Sequence, residues 1–257
     1  MKIVRFPLLI LMLGVLVLQV AEARNRAFRK SDAGIRVGSS FGFPLGPLVE
    51  GAKGLPMPAP SLGLFYSYKF NPKWSVQIGA EHYWMKARFE TPYSNFQYVG
   101  ELEILTNEGT QFINDTVNIV YAFVKDGLFD NRYLSLPITA HYHFRKGWSI
   151  HFGGYAAYKL SSNMTGVATD VYVGNMEDYS EVVGEIDFDE SSRFRKYDFG
   201  VNFGGNYELK SGVNFDLRVV TGLSDIFKKD FTAPPGTYRN VVMQATVGYR
   251  LGGARRI

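Results

Sequence analysis

The feature that constrains this chain most is an alternation of apolar and polar residues with a period of two. Trp74, Val76, Ile78, Ala80, His82 and Trp84 share one parity, against Ser75, Gln77, Gly79, Glu81 and Tyr83 on the other. Successive side chains of a strand point to opposite faces, so such a stretch reads as a strand with one apolar and one polar surface. The same reading holds at residues 134–144, 148–160, 197–209, 213–221 and 241–251, and in shorter form at 34–43 and 61–70, which makes eight strands.

The connections alternate in length. Residues 71–73, 145–147 and 210–212 carry the Pro, Asn and Gly of tight turns, whereas 44–60, 90–131, 161–196 and 223–238 are long. Every second connection of an up-and-down barrel lies on the same rim, so this alternation puts the short turns on one side and the long loops on the other. The expected fold is all-β: a closed antiparallel up-and-down transmembrane β-barrel of about eight strands, with short periplasmic turns and long extracellular loops. Trp74 and Trp84 lie ten residues apart. At about 3.3 Å per residue and a tilt near 40° that is roughly 25 Å, the height of a barrel's lipid-facing band. Tyr68, Trp74, Trp84, Tyr142, Trp148, Tyr207 and Tyr249 fall on the apolar parity near strand ends and form the expected aromatic girdle.

Alternation alone also admits a soluble sandwich or a lipocalin-like calyx. A calyx needs an apolar interior and a charged exterior. Here the polar parity holds Arg36, Lys69, Glu81, Asp198, Asn202, Asp216, Arg218, Gln244 and Arg250, interleaved with glycines, which suits a narrow lumen.

The N-terminus carries Lys2 and Arg5, then an apolar run from Phe6 to Val20 and Ala21-Glu22-Ala23. This is the layout of a secretory signal peptide, and the run is shorter than the ~20 residues of a membrane helix. The expected organisation is a signal peptide at 1–23, an N-terminal periplasmic segment at 24–33, the outer-membrane barrel at 34–251 and a C-terminal tail at 252–257. The expected location is the outer membrane. Absence of cysteine excludes disulfides and thiolate ligands, and although the net charge is +4, the basic residues are scattered, which argues against nucleic acid as a partner.

The pattern resembles the PorT-like outer-membrane β-barrel family (outer membrane protein beta-barrel domain) over nearly the whole chain after residue 23. The likeness lies in Gly34-Ile35-Arg36-Val37-Gly38, in residues 70–79 around the first turn, in Tyr133-Leu134-Ser135-Leu136-Pro137 and in residues 198–207. The resemblance implies a role in the Gram-negative cell envelope linked to protein secretion of the type IX kind. One departure is that Tyr249-Arg250-Leu251 is followed by residues 252–257, whereas such barrels usually end on an aromatic residue in the last strand.

No catalytic, cofactor-binding or metal-binding residue is assigned. Arg36, Glu81, Asp198, Asn202, Asp216, Arg218 and Gln244 are expected to form a polar network in the lumen, since eight strands leave room only for side chains. His141, His143 and His151 share the inward parity and form a candidate cluster, with ordinary packing as the bland alternative and a metal or pH switch as the sharp one. Ser149 and His151 share a face, as residues two apart in any strand do, which leaves a lipid-modifying hydrolase as a third-ranked reading behind an interaction protein and a small selective pore. The long loops at 90–131 and 161–196 are acidic and are the expected surfaces for an envelope protein partner, with outer-membrane lipid around the barrel. Strand-like stretches at 96–105 and 117–124 predict that the first of these loops rises above the membrane as a hairpin.

Overall fold

The computed structural model describes residues 30–47, 49–106, 109–174, 179–229, 231 and 236–251. The signal peptide expected at 1–23 and the tail at 252–257 lie outside the described residues. The strands are β1 (Ser31–Leu45), β2 (Lys53–Lys69), β3 (Trp74–Thr106), β4 (Gly109–Arg145), β5 (Trp148–Ser161), β6 (Met164–Gly174), β7 (Tyr179–Val182), β8 (Ile186–Asp189), β9 (Tyr197–Glu208), β10 (Val213–Gly222) and β11 (Arg239–Leu251).

Eight of them pair antiparallel in the order β2-β1-β11-β10-β9-β5-β4-β3, and β3 pairs back onto β2, which closes the ring. Closure leaves no free edge within the barrel, so the backbone hydrogen bonds that lipid cannot supply are made between neighbours. The turn at 146–147 is tight because Gly147 takes φ +78°, a conformation glycine adopts without steric cost.

Two boundaries move. β1 begins at Ser31, three residues before the expected barrel start at 34, so Asp32 belongs to the barrel and not to a periplasmic segment. β2 begins at Lys53, so the first loop shrinks to 46–52; its prolines concealed the strand. Pro58 and Pro60 sit where the β2–β3 register shifts between Met57 and Ser61, a place where a missing N–H is tolerated.

The described residues of the two regions read as the longest loops also form strands. β3 and β4 stay paired from Trp74↔Tyr142 to Thr106↔Gly109, with a register shift between Phe89 and Thr91, so residues 90–106 and 109–131 are the two arms of a hairpin. The 161–196 region is not a plain loop: β6 pairs with β4 from Phe129↔Met164 to Ile119↔Val173, β8 pairs with β6, and β7 bridges β6 and β3.

Polarity inverts along these strands. Below Trp84 the outward parity of β3 is apolar and the inward residues Ser75, Gln77 and Glu81 are polar and buried. From Met85 the inward residues Met85, Ala87 and Phe89 are apolar and buried, while Lys86, Arg88 and Glu90 face outward. β4 inverts at the same height, between Leu134 and Arg132, and Arg132 is the partner of Trp84. A strand must present apolar groups to lipid and polar groups to water, so this row marks the outer boundary of the hydrocarbon. The lipid-facing segments are 74–84 on β3, 134–144 on β4 and, through the pairing Leu134↔Tyr158, 148–158 on β5.

Above the boundary the protruding sheet buries an apolar core of its own. Phe89, Phe129, Ile119, Val124, Met164, Val171, Phe188, Phe194 and Phe227 belong to it.

Candidate functional site

The inward parity of the barrel strands fills the lumen in layers. Nearest the short turns, Asp32 on β1 pairs with Lys69 of β2 at 3.3 Å and with Arg250 of β11 at 3.2 Å, and Arg250 also faces Glu208 at 3.1 Å. Two acids and two bases balance one another here.

At mid-height Arg36, Glu81, Asp216 and Arg218 converge from β1, β3 and β10. Arg218 spans the two acids, with Nη1 at 3.0 Å from Glu81 Oε1 and Nε at 2.6 Å from Asp216 Oδ1. Arg36 lies 3.2 Å from Glu81 and donates to the amide oxygen of Gln77. All four side chains are at most 6% exposed. Charges this deep persist only when paired and hydrogen-bonded, and the two-plus-two arrangement meets that condition. Small residues make room for it: a Cβ on Gly204 would stand 2.7 Å from both the Arg218 Cβ and the His151 ring.

The expected single network is in fact divided. Asp198 lies a layer higher and accepts from Tyr155 (2.9 Å), Ser224 (2.7 Å) and Asn240 (2.8 Å), with no base beside it among the described ion pairs. Asn202 donates to the backbone of Gly154 at 3.4 Å, and Gln244 is buried opposite Arg218 in the β10–β11 register. The three groups stand apart because residues of one strand that share a face are still separated along the barrel axis. Asp32, Gln77, Tyr155, Glu208, Ser224 and Asn240 were not singled out from sequence, though parity signals those lying in the strands read there.

The histidines meet as stacked rings. His141 faces His151 in the β4–β5 register, with ring centroids 4.7 Å apart, and His143 lies 6.4 Å from His141. Nε2 of His151 donates to Asp216 at 2.9 Å, a carboxylate brought in from β10 that sequence could not place. His143 is hydrogen-bonded to Ser75 and His141 to Thr139. Among the described residues no group of three or more His, Asp and Glu is arranged to hold a metal ion. Ser149 and His151 are both buried in the plug, with His151 engaged by Asp216.

Outside, the aromatic residues fall into two belts. At the turn side Trp74 packs on Tyr142 at 5.0 Å and Trp148 on Tyr207 at 4.7 Å, beside Tyr68 and Tyr249. At the far side Trp84 donates its indole N–H to Asp130 (2.7 Å) under the Arg132 guanidinium at 4.1 Å, and Tyr158 meets Tyr197 at 5.5 Å.

Residues 21–228 match the family model described as outer membrane protein beta-barrel domain. The chain belongs to this family. As a member of the outer membrane protein beta-barrel family it resides in the outer membrane, and its apolar-out, polar-in ring agrees with that location. No curated protein matches it. Solved structures similar to it include the attachment invasion locus protein Ail of Yersinia pestis, at 13% identity and TM-score 0.40, covering 86% of this chain and 99% of that one. Neisserial surface protein A is similar at 9% identity and TM-score 0.37, over 87% of this chain and 99% of that one. OprG of Pseudomonas aeruginosa is similar at 13% identity and TM-score 0.37, over 88% and 99%.

Proposed function

We propose that this protein is a non-enzymatic interaction component of the cell envelope, whose plugged barrel anchors a protruding β-sheet that binds a partner protein. The observation that carries this reading is the β3–β4 hairpin. About 22 residues of β3 continue beyond Trp84, roughly 70 Å of strand. β6 pairs along β4 from Phe129 to Ile119 and β7 pairs with β3, while among the described residues β4 between 109 and 118 pairs only with β3, leaving a strand edge open to β-augmentation. Leu105 and Phe112 are exposed near its tip. The lumen, by contrast, is filled by balanced ion pairs, which supports an anchor over the alternative of a small selective pore. The resemblance to PorT-like barrels supports placing the partner in a secretion apparatus of the type IX kind, reached after removal of the signal peptide at 1–23.

The test replaces residues 87–129 by a tight turn. The shortened protein is expected to remain an outer-membrane barrel that shifts in mobility on boiling, and no longer to co-purify with the partner that the full chain captures by in-cell photocrosslinking from position 112. Retention of that crosslinked partner through another surface, or an ion conductance in planar bilayers from the full chain, would overturn the reading.

A further inference from the structure

A group of basic residues lies at the rim opposite the tight turns, on the side of β5 and β9. Two backbone segments are stitched there: Arg195 N–H donates to Ile226 (2.8 Å), Lys228 N–H to Arg193 (2.8 Å), and Lys159 N–H to Lys196 (2.8 Å). The stitching gathers Lys159, Arg195, Lys196 and Lys228 on one rim. No carboxylate neutralises any of them among the described residues. Arg195 donates through Nε to the Phe227 carbonyl at 2.6 Å, and Lys159 donates through Nζ to Ser162 at 2.8 Å and the Phe194 carbonyl at 3.2 Å, all neutral acceptors.

The acids in the neighbourhood are committed elsewhere. Glu190 binds Arg193 at 2.7 Å, Asp225 accepts from the N–H groups of Phe227 and Tyr238, and Asp198 is held by its three donors in the lumen. Lys159 lies just beyond the lipid-facing segment of β5. Partial burial, together with repulsion from Lys228 and Lys196, pushes its ammonium down to about 8 from the ordinary lysine value. A fold that gathers cations against repulsion, without acids to offset them, leaves an electrostatic vacancy for an anion.

We propose that Lys159, Arg195, Lys196 and Lys228 form a binding site for a phosphate-bearing anion. Phosphate suits the set, since ammonium groups act as point charges around its oxygens and a guanidinium adds directed donors. The site stands one row above Tyr158 and Tyr197, whose rings mark the membrane interface, so it is at the height of the outer-leaflet phosphates, with Lys159 and Lys196 on the inward parity and Lys159 over the Phe194 ring. The same chemistry would accept a soluble phosphate compound reaching the cell surface.

The experiment uses the full protein in detergent and native mass spectrometry with two probes, diphosphoryl lipid A and the same lipid stripped of its phosphates. At least tenfold stronger retention of the phosphorylated form is expected, and a large loss of that preference in Lys196→Gln/Lys228→Gln, both exposed positions whose exchange leaves the heat-dependent mobility shift intact. Equal retention of the two lipids, or an unchanged preference in the variant, would overturn the proposal. Inorganic phosphate supplied as competitor separates the sources: displacement of the lipid identifies a general phosphate site, and persistence of the lipid identifies one that needs the membrane-borne headgroup.

Discussion

Glu81 is held by Arg36 and Arg218 at once, and its worth depends on both. Replacing it with Gln leaves two guanidiniums facing only Asp216 in the buried lumen. Breaking one side of a buried charge set typically costs about 3–5 kcal/mol, because the remaining charge is stranded. Glu81→Gln is therefore expected to lower the urea midpoint of the barrel in lipid vesicles markedly, and Glu81→Gln combined with Arg218→Gln to recover part of the loss. Equal or additive losses in the double variant would show that the pair is not coupled. The residues of this set were legible from parity, since Arg36, Glu81, Asp216 and Arg218 all sit on the polar face of their strands. Their partition into layers was not legible. Which residues share a height depends on register across the ring, and register is set by turns and closure that no single strand encodes.

A strand that inverts its polarity records the boundary between two solvents. The inversion in β3 at Trp84 and Met85 implies opposite responses to substitution on the same face. Ile78 is 49% exposed, near the middle of the lipid band. Ile78→Arg is expected to destabilise the barrel by about 2–4 kcal/mol, whereas Arg88→Leu, ten residues further along, is expected to change folding in vesicles little. The comparison is read from unfolding titrations of the two variants; similar costs would place the boundary elsewhere. The eight barrel strands could be read from alternation because a lipid face and a polar lumen make it sharp. The strands β6, β7 and β8 could not. β7 and β8 have four residues each, and the buried residues of β6, Met164, Ala168, Val171 and Val173, change parity along a strand whose register against β4 shifts, so none of the three shows a sustained period of two. The same inward face of β4 that carries Thr139 and Ser135 in the barrel carries Phe129 beyond it, so cutting out only residues 100–124 would remove Ile119, Ala122 and Val124 and uncover the Phe129, Met164 and Phe188 that share their core.

At the scale of the whole molecule two units share one pair of long strands. The barrel is apolar outside and charged within; the sheet above it is charged outside and apolar within. The first is stabilised by closure and lipid, the second by its own aromatic core, so the upper unit can change without opening the lower. The location in the outer membrane follows from the family, and the orientation rests on the inversion row and on the contrast between tight turns and long ordered loops. Because the chain contains no cysteine, orientation can be read directly with single introduced thiols. The decisive measurement is labelling of intact cells with a membrane-impermeant maleimide at Phe112→Cys, near the hairpin tip, and Lys210→Cys, in the turn between β9 and β10. The account predicts that position 112 reacts on intact cells and position 210 only after the outer membrane is permeabilised. Labelling of position 210 on intact cells, with position 112 protected, would contradict it.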